Sequence, residues 1–233
     1  NTAASGDSAW FNGGFTGDYN NNEDSWVERP CFDFSTLVEP IFEAKIWIDT
    51  DNDAEGMILQ SSVDNGATWQ DVGSVNSVPG PYIENWYNDE SLFGVFWDSQ
   101  DGWDEDINPS GTPQWINVKH ELTGLGGEPN VRLRFAFGSS GITTQEGVGF
   151  DDIQIYEKPA DDFAMVGIVS PSSSGCGSGT IDATIEFANA GIASQVSGDY
   201  QVEYLVDNVP VATESVPTPT TVNPGDTVQS TFS

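Results

Sequence analysis

Positive charge is what this chain of 233 residues has least of: 6 Lys and Arg stand against 37 Asp and Glu, a formal net charge of −31. Such a field repels a phosphate backbone and anionic membrane surfaces, which argues against nucleic acid and such membrane surfaces as partners. Histidine occurs once, at His120, so neither a His-based zinc cluster nor a convincing acid–base triad can be assembled. His120 falls in the strand-like QWINVKHEL and is expected on a strand surface. The two cysteines, Cys31 and Cys176, do not make a disulfide-rich scaffold. A bridge between them, two free thiols, or partners outside this segment all remain open. No apolar run is long enough to span a bilayer, no basic-then-apolar leader opens the chain, and sequons for N-glycosylation are absent. A start at Asn1 without methionine and an end in the strand-like TVQSTFS point to a piece of a longer polypeptide, its last domain cut before the final strands.

What is abundant is carboxylate, and its mutual repulsion is relieved by salt or divalent cations. A salty or calcium-containing exterior suits such a chain; a simply solubilising surface is the alternative. The best-defined local structure is MILQSSVDNGATWQDVG, from Met57 to Gly73. It reads as strands 57–63 and 68–73 joined at Asp64-Asn65-Gly66, where Asn-Gly supplies the positive φ angles of a tight hairpin. Ser62, Asp64, Gly66, Thr68 and Trp69 fit S-x-D-x-G-x-T-W, which resembles the Asp-box hairpin of sialidases and other secreted β-proteins. Asp64 is expected to bind turn amides and Trp69 to pack the hairpin on the core. A sialidase carries several boxes and an arginine cluster, whereas one box and only Arg29, Arg132 and Arg134 occur here.

Around the hairpin, residues 1–24 read as a loop-rich entry, and 25–35 as an edge strand interrupted by Pro30. IFEAKIWID, from Ile41 to Asp49, alternates Phe42, Ala44, Ile46 and Ile48 against Glu43, Lys45 and Trp47, the pattern of a half-buried strand. The next loop spaces Asp49, Asp51, Asp53 and Glu55 alternately, as hard oxygen ligands are gathered for calcium, or simply as a solvated acidic loop. It lacks the helices and closing Glu of an EF-hand. From Asn76 to Gly111 runs a long aromatic and acidic excursion. Its Trp86, Tyr87, Trp97 and Trp103 are either stacking rings for a ligand or core and loop-plugging residues. VRLRFAFG alternates with Arg132 and Arg134 outward as local counter-charges, and GVGFDDIQIYE closes the first domain with the pair Asp151-Asp152.

At Lys158-Pro159-Ala160 aromatics thin out and Ser, Thr, Val and Pro take over, marking domains 1–158 and 159–233. The order ERPCFDFS, SSVDNGATWQDVG, NWYN, RLRFAFGS, VGFDDIQIY over about residues 25–157 resembles MAM-like jelly-roll modules of large secreted proteins of Bacteroidetes-type bacteria. SPSSSGCGSGT, FANAGIAS, VEYLVDNVPV and VNPGDTV are similar to the adhesion-type Ig-like modules that follow them. The resemblance implies an all-β chain, an antiparallel jelly-roll sandwich followed by a smaller Ig-like sandwich. It also implies a calcium ion joining Asp152 to the Asp49, Asp51 and Asp53 loop and to Asp18. The opening of the module departs from the usual Cys-containing start, which bears on its N-terminal ligands.

No spacing singles out a catalytic pair among the acids, so no enzyme is expected. The expected role is a non-catalytic, calcium-stabilised module pair of a secreted or cell-surface bacterial adhesin. Its partners would be a glycan or cell-surface protein and further domains of the same polypeptide, with Trp86, Tyr87, Trp97 and Trp103 as the binding rings. Accessory modules of a secreted hydrolase such as a metallopeptidase, or structural repeats of a filament or stalk, are the alternatives.

Overall fold

The computed structural model describes residues 2–13, 17–52, 54–92, 99–108, 110–171, 182–196, 200–215 and 221–232. The chain is all-β and antiparallel, and divides into two compact units, Asn1–Glu157 and Lys158–Ser233. Among the described residues the sole helical turn is a 3-10 turn at Glu105–Ile107, and no helix is long and apolar enough to cross a membrane.

The first unit contains β1 (Trp10–Phe11), β2 (Asp24–Phe32), β3 (Pro40–Asp49), β4 (Gly56–Ser62), β5 (Gln70–Asp71), β6 (Asp89–Leu92), β7 (Gln100–Gly102), β8 (Ile116–Glu121), β9 (Val131–Gly138) and β10 (Gly147–Glu157). Two four-stranded sheets, ordered β1-β10-β3-β8 and β2-β9-β4-β5, form a sandwich, with β6 and β7 as a separate hairpin. Strand alternation puts Phe42, Ile46 and Phe150 of one sheet against Leu59, Leu133 and Phe135 of the other. Phe135 stacks on Phe150 at 4.5 Å and meets Phe42 edge-on at 5.9 Å. Each fully buried ring or branched chain of this kind contributes roughly 1.5–3 kcal/mol.

Particular residues shape these strands. Asn65 and Gly66 adopt φ of 64° and 84°, as the tight turn between β4 and β5 requires. Pro30 sits in β2, an edge strand whose register shifts between Arg29 and Phe32, where Cys31 takes φ 47°. β3 is buried beyond the expected single face: Trp47, on the Glu43 and Lys45 side, is covered by Phe11 packing edge-on at 5.6 Å. Gly56 is a point of close approach, since a Cβ there would collide with the carbonyl of Trp103.

The second unit contains β11 (Phe163–Ser170), β12 (Ala183–Asn189), β13 (Gln195–Val196), β14 (Gln201–Val206), β15 (Val209–Ser215), β16 (Thr221–Val222) and β17 (Thr227–Phe232). β11-β12-β17 form one sheet, while β13-β16 and β14-β15 are two-stranded pairs. Its core is thin among the described residues: Phe187, Val222 and Val228, with Phe163 and Tyr200 packed on Phe187 at 5.3 and 5.9 Å. Cys176 lies outside the described residues.

Candidate functional site

Among the described residues of the aromatic excursion, Trp86, Tyr87 and Trp103 do not present their rings. Trp103 has 0% exposure, Trp86 and Tyr87 are also buried, and Trp103 lies 4.7 Å from the Trp86 ring and 4.6 Å from that of Tyr87. Their polar atoms are spent on backbone: Trp86 Nε1 donates to Val72 O (2.8 Å), Trp103 Nε1 to Asn85 O (3.1 Å) and the Tyr87 hydroxyl to Leu59 O (3.0 Å). Trp86, Tyr87 and Trp103 plug the sandwich, and these three rings have no free face for a ligand. Trp97 lies outside the described residues. His120, expected on the surface, is buried at 4.6 Å from the Trp86 ring. It shares a 2.8 Å hydrogen bond between Nε2 and Ser77 Oγ, and burial lowers its pKa. Ser77 Oγ already accepts from Ser74 N in its turn, so this pair caps a loop.

The proposed metal ligands separate. Asp49, at the end of β3, accepts from Glu146 N at 3.1 Å; burial raises its pKa, and repulsion from Glu146 and Asp18 adds to this. Glu105 is likewise raised by burial and then by Asp49, Asp104, Asp106 and Asp51. Asp18, Asp49 and Asp51 therefore share one electrostatic neighbourhood, while Asp53 lies outside the described residues. Among the described residues no three acidic, His or Cys side chains converge closely enough to hold a metal ion.

Asp152 is not in this neighbourhood. Asp49 pairs with Gly147 and Lys45 with Asp151, so four residues of ladder, roughly 13 Å, intervene. Asp152 instead pairs with Lys45 at 3.2 Å and accepts from Ser5 Oγ, while Asp151 Oδ2 accepts from Ala4 N and Ser5 N at 3.0 and 3.2 Å. The Asp pair fastens the N-terminal segment. Glu55, also in the acidic series, points inward at 0% exposure. It accepts from the Tyr19 hydroxyl, from Ser140 N (2.8 Å) and from Ser140 Oγ (2.6 Å).

The Asp-box closes as a self-contained knot. Asp64 accepts from Ser62 Oγ (2.7 Å), Thr68 N (2.9 Å) and Thr68 Oγ1 (2.7 Å), while Ser62 Oγ accepts from Gly66 N (2.9 Å). These donors, Thr68 first, hold the Asp64 carboxyl down to about 2. Trp69 leaves the knot on the outer side of the sheet instead of packing on the core. The Arg134 guanidinium lies 4.1 Å from its ring and 5.5 Å from that of Trp26.

This outer face of β2-β9-β4-β5 is the first candidate surface. Period-two alternation sends Trp26 and Glu28 of β2, Arg132 and Arg134 of β9, and Gln60 of β4 to the same side. Arg132 Nη1 donates to Glu28 Oε1 (2.7 Å), Arg134 Nε to Gln60 Oε1 (2.8 Å) and Gln60 Nε2 to Asp71 Oδ1 (2.8 Å). Burial lowers the Arg134 pKa, with Asp24, Glu28 and Asp71 opposing that shift. Because 5.5 and 4.1 Å are two sides of one triangle, the Trp26 and Trp69 ring centroids lie within about 9.6 Å of each other. Trp26 is 54% exposed. The sequence signal was present, in outward-facing arginines beside SWVE and TWQD, but it does not reveal which tryptophans flank them.

The second surface is a groove of ≈ 830 Å³ where β10 and β2 border the gap between the sheets. Phe42, Leu59, Phe135 and Phe150 form its floor, while Arg29, Asp33, Asp151 and Asp152 stand among its lining residues. Trp10 lines it too, 60% exposed and stacked on Phe150 at 6.2 Å. Comparison of the sequence with family models and with curated proteins finds no match.

Proposed function

We propose that this chain is a non-catalytic pair of extracellular modules from a large bacterial surface adhesin, and that its first unit binds glycan on the outer face of β2-β9-β4-β5. The observation that carries this reading is the Trp26–Arg134–Trp69 arrangement. Two aromatic rings are braced by one cation on an open sheet, beside a row of fixed hydrogen-bonding groups. Ring faces take the apolar side of a sugar, and Gln60, Glu28, Arg132 and Asp71 meet its hydroxyls. Bracing lowers the ordering cost of the site, because the rings are already held. Arg132 and Arg134 are offset by Glu28 and Asp71, so the matching ligand is neutral.

The test uses the full chain against a panel of neutral oligosaccharides, followed by titration of Trp26→Ala and Trp69→Ala. Each variant is expected to lose at least about tenfold in affinity, and Trp26→Ala to change stability by no more than about 0.5 kcal/mol. Binding should be insensitive to salt between low and physiological ionic strength. Unchanged affinity in both variants, or binding only of acidic glycans with steep salt dependence, refutes the site.

Calcium is proposed for the acidic neighbourhood of Asp18, Asp49 and Asp51, where carboxylate repulsion favours a cation, and these side chains would draw together to bind it. Chelation at constant ionic strength is expected to lower the melting temperature of the first unit by several degrees. No change would remove the metal.

A further inference from the structure

The gap between β10 and β2 points to a second binding site, for another polypeptide, which adjoins the outer face of β2-β9-β4-β5 at Glu28 and Arg134. Native interiors hold few voids larger than a water molecule, so an apolar groove of ≈ 830 Å³ running into the core calls for an occupant. Its mouth is bordered by strand edges. β1 covers only Gly149 and Phe150 of β10, and among the described residues no strand pairs with the same side of β10 from Asp151 to Glu157. β2 is the edge of its own sheet, but Pro30 and the shifted register at Cys31 blunt it, which leaves β10 as the better template. Beyond its bulge, β10 runs regularly from Gln154 to Glu157 against β3; Ile155 lies opposite Phe42, and both line the groove. Ile153, in the bulge, is 45% exposed at the lip.

We infer that β10 accepts an added antiparallel strand at Ile153–Glu157, supplied by a partner peptide in which apolar residues alternate with basic ones. An added strand satisfies the free backbone edge, sends alternate side chains into the groove and turns the others to solvent. Charge selects the basic character of the solvent-facing set. Glu28, Asp33, Asp151 and Asp152 line the groove against Arg29 and Arg134, and with Glu28 held by Arg132 and Asp152 by Lys45 it is the chain's net charge of −31 that keeps the field there acidic. A small apolar ligand would fill the groove yet leave the strand edge unpaired.

The experiment titrates the full chain with a short synthetic peptide of alternating valine and lysine, following amide hydrogen exchange. Saturable binding is expected, with slowed exchange at 153–157. The exposed substitution Ile153→Lys should weaken it at least about tenfold without shifting the melting temperature. A peptide of the same composition with valines and lysines in separate blocks should bind at least about tenfold more weakly. The inference is overturned by no saturable binding, by equal binding of the block peptide, by unchanged affinity in Ile153→Lys, or by binding that leaves the 153–157 amides unprotected.

Discussion

Replacing Trp103 by alanine separates the two roles open to the aromatic excursion. The ring is fully buried, touches Trp86 and Tyr87 at 4.7 and 4.6 Å, and reaches Phe135 at 6.4 Å. Truncation of a buried Trp leaves a cavity worth about 3–5 kcal/mol. It also orphans the Asn85 carbonyl that Trp103 Nε1 now satisfies. The Met57–Trp103 backbone bridge survives, at 2.9 Å in both directions, so the loop stays attached while its anchor is lost. For a unit of this size each kcal/mol moves the melting temperature by roughly 2–4 °C, giving a fall of about 6–20 °C. Calorimetry of the full chain, with near-UV circular dichroism reporting the Trp–Tyr cluster, reads the first unit's own transition. A loss below about 1 kcal/mol refutes the core assignment and returns the ring to the surface.

Glu55→Ala should destabilise the first unit by about 1–3 kcal/mol or more, because the Tyr19 hydroxyl and the Ser140 donors lose their acceptor inside the protein; urea unfolding measures it. Asp64 gives a pH signature. Its folded carboxyl sits at about 2, below its ordinary value, so its contribution is complete above the ordinary carboxylate range and is lost as pH falls toward about 2. Carboxyl NMR titration should find that low midpoint, and Asp64→Asn should flatten this part of the stability profile. An ordinary midpoint would dissolve the knot. Asp49 has the opposite sign: its folded pKa is raised, so stability falls as pH rises from the ordinary carboxylate value through the raised one. Added calcium should reduce that fall, and an unchanged profile counts against the cation.

Local order along the chain was legible wherever one residue type has one backbone use. Asn65-Gly66 fixes a turn and Pro30 marks an edge strand. The alternation in 41–49 and 131–138 marks two strands that carry the core. The site was less legible because a tryptophan's neighbours depend on strand register and on what covers each sheet face. Trp86 and Trp103 look exposed in an acidic loop, yet Trp103 bridges to Met57 of β4 and both rings are buried. Trp26 and Trp69 are distant in sequence, and β2 and β5 do not pair directly; β9 and β4 lie between them, and Arg134 spans the gap. The same logic removes Asp152 from the Asp49 loop: both lie on strands that pair, but the register sets them roughly 13 Å apart. Residue types thus announced aromatic and acidic chemistry, and strand register decided which side chains could share it. A register slip of one residue in β9 would turn Arg134 into the core and dismantle the surface, so the glycan reading depends on the same pairings that hold the sandwich together.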